Sequence, residues 1–263
     1  MPYFQTGASH IYYETHGRGL PVVMLHGVGG NHASWFYQLT GWAQRFQLIT
    51  FDARGFGKST DAESLGRSAF TEDLTRLLDH LGIQRAALVA QSMGGGTAVD
   101  FTCRFPERVC ALVLADTLVW LDPPPEMAAD FLAVQVQTQN LNQLERVLGE
   151  TFRGAQPELS ELYLQIASFN HYTVKTLTGT QTRYRPQALA LTGVPALFVV
   201  GEEDVLFPPS LIRKAWREVP GADWITLEKA GHSAYFEAAE SFNRLVGHWL
   251  EACVGKFDPV THT

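Results

Sequence analysis

The feature that most constrains how this chain can fold is a set of short, unbroken apolar runs separated by stretches of helical period. Val22-Val23-Met24-Leu25, Ala86-Ala87-Leu88-Val89-Ala90, Val109 to Ala115 and Ala196-Leu197-Phe198-Val199-Val200 carry no charge and show no polar alternation. A strand with one wet face alternates; a strand covered on both faces reads as a continuous apolar run. Further strands are expected at His10 to Tyr13, Leu48 to Phe51 and Trp224 to Leu227. Between them lie helical patterns. Phe70, Leu74, Leu77, Leu78 and Leu81 fall on one face of a predicted helix over 68–81, with Ser68 as its cap and Gly82 as its stop. A second helix runs from Met93 toward Phe105 and stops before Pro106. A third covers Ala33 to Trp42, with Asn31 as N-cap, and a fourth Ser210 to Val219. The last presents Ala239, Phe242, Leu245, Val246, Trp249 and Leu250 on one face. Strand–helix alternation of this kind predicts an α/β fold, with a mostly parallel central sheet and helices on both faces.

The rhythm breaks after Asp116. From Leu121 to Leu191 no convincing strand is visible, Pro123-Pro124-Pro125 interrupts the chain, and helical patterns follow around 141–148 and 159–166. A strandless stretch this long, set between two sheet strands, is expected to be a folded helical insertion rather than a loop. The expected organisation is a core domain of 1–118 and 192–255, a helical cap over 119–191, and a mobile tail over 256–263.

With 263 residues the chain can bury a large core without disulfides or metals. Its net charge of −7 argues against a nucleic-acid partner, which would need clustered Lys and Arg, and gives no pull toward anionic lipid. The three cysteines, Cys103, Cys110 and Cys253, have neither disulfide-framework nor zinc-site spacing and read as buried thiols of a reducing compartment. Met1 to Gly7 lacks the basic and apolar regions of a secretory signal, and no apolar run approaches the roughly 20 residues a membrane helix needs. A cytoplasmic protein without a membrane partner is expected.

The chemistry centres on Ala90-Gln91-Ser92-Met93-Gly94-Gly95, at the junction of an apolar strand and a helix. A serine on so tight a turn is strained and projects its hydroxyl above the carboxyl end of the sheet; Ala90 and Gly94 are small enough to avoid clashing there. The Met93 N–H, at the helix start, can donate to a developing oxyanion. A serine hydroxyl is a weak nucleophile and needs a base. His232, in Gly231-His232-Ser233 after the last strand, can supply it. Asp204, just beyond Val199-Val200-Gly201, can fix the imidazole tautomer. All three sit at carboxyl ends of predicted strands, where open α/β sheets place their sites. A second oxyanion donor is expected in His26-Gly27-Val28-Gly29-Gly30, and we assign it to the Val28 N–H. His26 is expected to be structural, with its ring bonded to the backbone of that loop. Asp116, at the end of the 109–115 strand, rivals Asp204 as the acid; Glu202 and Glu203 are weaker rivals. Trp35, after the oxyanion loop, and Phe207, after the acid, are the expected pocket aromatics.

Leu25-His26-Gly27, Asp52-Ala53-Arg54-Gly55-Phe56-Gly57-Lys58-Ser59, Gln91-Ser92-Met93-Gly94-Gly95, Pro106-Glu107-Arg108-Val109, Gly201-Glu202-Glu203-Asp204 and Gly231-His232-Ser233 together resemble the α/β-hydrolase superfamily, in order from about Tyr12 to Trp249. The resemblance implies the same roles for Ser92, Asp204, His232, Val28 and Met93. It departs at Ala90, where the family more often has glycine, and in the variable cap. It implies a serine hydrolase, carboxylesterase-like, acting on a small-molecule ester or lactone with no cofactor. Epoxide hydrolases and haloalkane dehalogenases of this fold carry Asp where this chain has Ser92. A C–C bond hydrolase of ring-cleavage products is the alternative, because the Ser-Met-Gly-Gly elbow also resembles that subfamily, and cap arginines Arg153, Arg183 and Arg185 could bind a carboxylate. A ligand-binding receptor on the same fold is the alternative outside enzymology. Two nucleotide motifs fail. Gly57-Lys58-Ser59 has Asp52 where a phosphate loop needs glycine, and Gly27-Val28-Gly29 has His32 where a dinucleotide fingerprint needs its third glycine.

Overall fold

The computed structural model describes residues 2–254. Its eight strands are β1 (Tyr3–Thr6), β2 (Ser9–His16), β3 (Leu20–Leu25), β4 (Phe46–Phe51), β5 (Ala86–Gln91), β6 (Val109–Ala115), β7 (Ala196–Gly201) and β8 (Asp223–Leu227). They form one sheet in the order β1-β2-β4-β3-β5-β6-β7-β8. Only the β1–β2 and β2–β4 pairings are antiparallel; β4, β3, β5, β6, β7 and β8 pair in parallel.

The apolar runs become the middle of this sheet because each strand has two covered faces. Val23, Leu25, Leu88, Ala90, Leu112 and Leu114 join one core cluster. Val22, Met24, Ala87, Val89, Ala111 and Val113, their neighbours in the pleat, join the other. The helices divide accordingly. The first, α1 (Phe36–Trp42), packs with the last, α11 (Ala239–Val254), through Trp42, Phe242 and Val246 on the second face. The helices α2 (Phe70–His80) and α3 (Met93–Arg104) cover the first face through Leu74, Leu77, Leu78, Ala98 and Val99. Gly82 ends α2 at φ +67°, in the left-handed region that favours glycine.

Two local expectations need correction. Residues 66–69 form a 3-10 turn, and Ala69 rather than Ser68 precedes α2; the Ser68 hydroxyl instead accepts from Thr180 N. Likewise Asn31 caps a 3-10 turn, His32–Trp35, through its side-chain oxygen to Ala33 N, and α1 starts only afterwards.

Between β6 and β7 the chain is helical: α4 (Ala128–Thr138), α5 (Gln143–Val147), α6 (Glu150–Ala155), α7 (Pro157–Ser168) and α8 (Pro186–Leu191). A single bridge, Leu121 with Tyr184, ties the two ends of this segment. The helices α9 (Pro209–Arg217) and α10 (Ala234–Glu237) flank β8. No helix among the described residues is long and apolar enough to cross a membrane. The expected tail, 256–263, lies outside the described residues.

Candidate active site

Ser92 stands between β5 and α3 at φ +47°, ψ −114°. A non-glycine residue with positive φ costs on the order of 1–3 kcal/mol and persists only where its surroundings over-determine it. Here Ser92 N donates to Ala115 O (3.1 Å), while Ser92 O accepts from Gly95 N (2.9 Å) and Thr117 Oγ1 (2.6 Å). Gly94 is obligatory: a Cβ there would overlap the Leu25 carbonyl oxygen. Ala90 is fully buried in β5.

His232 Nε2 lies 2.8 Å from Ser92 Oγ, and His232 Nδ1 lies 3.0 Å from Asp204 Oδ2. The histidine and the acid are almost wholly buried, while Ser92 is partly exposed. The other Asp204 oxygen, Oδ1, accepts from Leu206 N (2.8 Å) and Phe207 N (3.0 Å), so the carboxylate is held by the turn that follows β7. With Nδ1 donating to a carboxylate, Nε2 is the basic nitrogen and faces the hydroxyl.

Asp116 occupies a different place. It ends β6 at φ +49°, and its oxygens accept from Gly201 N (2.7 Å) and Ala234 N (3.3 Å). Burial pushes its carboxyl well above the usual range and the neighbouring Asp204 pushes it further, against those two backbone donors. Asp116 therefore joins the β7 and α10 termini, and Asp204 faces the imidazole. Glu202 accepts from Lys229 N and Glu203 from Thr151 N, both away from the ring.

The loop 26–30 is oriented from within. His26 Nε2 accepts from Ala53 N (2.9 Å), so His26 Nδ1 carries the proton and donates to Gly27 O (2.7 Å). Burial lowers the His26 pKa, which keeps that neutral tautomer. Gly30 N also donates to Gly27 O (3.0 Å). The Gly27 carbonyl and the Val28 N–H belong to one trans peptide, so fixing the first points the second the opposite way. A Cβ on Gly27 would lie 3.0 Å from Ser92 Cβ, which places this loop against Ser92. Met93 N, first in α3, is one of the helix's orphan donors.

The two expected aromatics part company. Phe207 is half-buried beside the imidazole, its ring 5.7 Å from that of His232. Trp35 is fully buried and tilted against Tyr235 at 4.3 Å, within the core cluster of α1 and α11. It packs the fold and cannot line an open pocket.

Three further residues join the loops around the site. Gln91 Nε2 donates to His232 O (2.8 Å), tying the residue before Ser92 to the histidine loop. Asn170, past the end of α7, donates through Nδ2 to Gly30 O (3.0 Å) and Val28 O (3.3 Å), and accepts at Oδ1 from Gly57 N (3.1 Å). Tyr163 of α7 accepts from Ser233 Oγ (3.0 Å), and its hydroxyl would lie 2.8 Å from a Cβ on Gly29. The only hint in the sequence is a polar residue at the end of a wholly apolar strand, Gln91.

Residues 21–239 match the family model described as alpha/beta hydrolase fold. The chain belongs to that family. This hydrolase is 31% identical over 261 residues to a 2-hydroxy-6-oxononadienedioate/2-hydroxy-6-oxononatrienedioate hydrolase of Burkholderia vietnamiensis, covering 91% of this chain and 90% of the relative. It is 28% identical over 249 residues to the dihydrolipoyllysine-residue acetyltransferase component of the acetoin cleaving system of Pseudomonas putida; the match takes in 89% of this chain but spans only 64% of that protein's length. A thermophilic esterase from Thermogutta terrifontis superposes with a TM-score of 0.80 at 25% identity, over 95% of this hydrolase and 98% of the esterase.

Proposed function

We propose that this hydrolase cleaves a carboxylic ester or lactone through an acyl-enzyme on Ser92. The observation that carries the reading is the relay from Ser92 Oγ through both ring nitrogens of His232 to Asp204. His232 takes the hydroxyl proton as Ser92 attacks the carbonyl carbon. The Val28 and Met93 N–H groups hold the oxyanion. His232 then protonates the leaving alcohol, and water repeats the sequence. No step calls on a cofactor.

In this reading residues 1–118 and 192–255 form the catalytic core, and 119–191 a cap that shapes the substrate pocket. The contacts of Tyr163 and Asn170 with the loops around Ser92 and His232 support that assignment. Phe207 is the proposed pocket aromatic.

Hydrolysis of a C–C bond is the second reading, favoured by the 31% identity to the dienedioate hydrolase. Two of the three arginines available to a second carboxylate are otherwise engaged: Arg185 pairs with Asp122 (2.9 Å), and Arg153 Nε donates to Leu148 O (3.2 Å). That weighs toward the ester. Steady-state hydrolysis of p-nitrophenyl esters of increasing acyl length, run beside Ser92→Ala, tests the choice. Serine-dependent turnover with a chain-length optimum is expected. A folded protein inert on every ester but active on a ring-cleavage product would move the assignment to the C–C hydrolase.

A further inference from the structure

Glu237 ends α10, five residues after His232, and its carboxylate turns inward although the residue as a whole is only partly buried. Its Oε2 accepts from Gly149 N (2.7 Å) and Gly231 N (2.9 Å), and its Oε1 from Ser233 N (3.0 Å). Gly231 and Ser233 are the residues on either side of His232. Gly149 belongs to the inserted segment and is the N-cap of α6. The two backbones meet so closely that a Cβ on Gly231 would overlap Gly149 N. A second carboxylate completes the joint. Glu203, directly before Asp204, accepts from both the N–H and the hydroxyl of Thr151 in the first turn of α6.

We propose that Glu237 is a positioning residue whose ionised carboxylate clamps the backbone on both sides of His232 to the start of α6, and that protonating it loosens the clamp and slows turnover. The proposal rests on His232 acting as the base. The chemistry follows from counting acceptors. An ionised carboxylate can accept on both oxygens, whereas a carboxylic acid turns one oxygen into a donor, and here every partner is itself a donor. Protonation therefore weakens these bonds, because a hydroxyl oxygen is a poorer acceptor than a carboxylate oxygen and its proton points into a ring of donors.

Burial pushes the Glu237 carboxyl up to about 7, with Asp204 adding to the rise and the three backbone donors opposing it. Other groups face it as well. Asp116 lies across the sheet end, and the Tyr163 and Tyr235 hydroxyls feel its charge from α7 and α10. Glu203 approaches the same glycine, a Cβ on Gly149 meeting both carboxylates at 2.6 and 3.2 Å. Lys229 and Glu240 line the cavity of about 390 Å³ that reaches Glu237. Burial and, after it, the acids around the group together place its titration near neutral pH.

The test combines two measurements. In wild type, log kcat for the ester is expected to fall more steeply than the slope of 1 that a single base gives, over the range in which Glu237 takes up its proton, because that protonation lowers kcat on top of the loss of the base. In Glu237→Gln the slope is expected to fall to 1 and kcat at pH 8 to drop about tenfold with little change in KM, the scale of one hydrogen bond at the joint. Amide hydrogen exchange of wild type, corrected for intrinsic rates, should show protection at Gly149, Gly231 and Ser233 weakening as pH falls from about 8 to about 6. A kcat profile of Glu237→Gln superimposable on wild type, or protection that does not change with pH, overturns the proposal. The exchange experiment needs no turnover and no folded variant. A pH-independent result therefore removes Glu237 alone, whereas an active Ser92→Ala removes the serine mechanism beneath it.

Discussion

Replacing Asp204 by asparagine exchanges an acceptor for a donor at one defined atom. Two backbone donors, Leu206 N and Phe207 N, already hold the Asp204 Oδ1 position. The amide oxygen of the substituted side chain must stay there, so its NH2 takes the place of Oδ2, 3.0 Å from His232 Nδ1. Nδ1 then has to accept, and the ring proton moves to Nε2, 2.8 Å from Ser92 Oγ. A histidine protonated on that side cannot act as base. In serine proteases the equivalent change costs about 10,000-fold in kcat, or about 5 kcal/mol of transition-state stabilisation. A similar loss is expected here, with the thermal midpoint little altered. Asp116→Asn is the control. Its carboxyl is already pushed toward the neutral form, and the amide can still accept from Gly201 N, so the loss should stay below about tenfold. Steady-state ester hydrolysis by both variants, with circular dichroism melts, decides the matter. Near-wild-type turnover by Asp204→Asn, or a greater loss in Asp116→Asn, would refute the argument and move the acid to β6.

Two further outcomes follow from side-chain contacts outside the Ser92–His232–Asp204 relay. Arg54 is buried and holds Asp73 with two hydrogen bonds of 2.8 and 2.9 Å while also reaching Ser9 (2.9 Å) and Glu63 (3.2 Å). Arg54→Ala strands the buried Asp73 carboxylate and is expected to cost about 3–5 kcal/mol in urea unfolding; a cost under about 1 kcal/mol would show that the pair is dispensable. Asn170→Ala removes the donors to Val28 O and Gly30 O and is expected to lower kcat about tenfold or more with KM nearly unchanged, because a loosened oxyanion loop affects the transition state most. A rise in KM alone would instead make Asn170 a substrate-binding residue.

The sheet is legible because burial on two faces writes itself as an uninterrupted apolar run, and β5 and β6 begin where those runs begin. Ser92 and Asp204 are legible as candidates because each follows such a run, and His232 because it follows the last expected strand, β8. What is not legible depends on distance in the chain. Choosing between Asp204 and Asp116 requires knowing which carboxylate faces the ring, and both end adjacent parallel strands. Asn170 meets backbone atoms distant in the chain, and so does Glu237 at Gly149 N, although its other two donors, Gly231 N and Ser233 N, lie within six residues of it. Trp35 is misplaced by sequence reasoning because following the oxyanion loop does not determine which side of the sheet a ring packs on. Among the inserted helices, α4 leaves Leu132 and Val136 exposed at 61% and 56%, so it shows no clean buried stripe, and α6 spans only six residues.

The most direct test of the central claim is covalent. Treating the protein with a fluorophosphonate, an acyl-transfer mimic, and measuring intact and peptide masses asks which side chain is the activated nucleophile. One adduct per chain is expected, on the peptide containing Ser92, growing in step with loss of esterase activity and absent from Ser92→Ala. Full labelling at Ser92 with activity retained, or stoichiometric labelling at another residue, would contradict it.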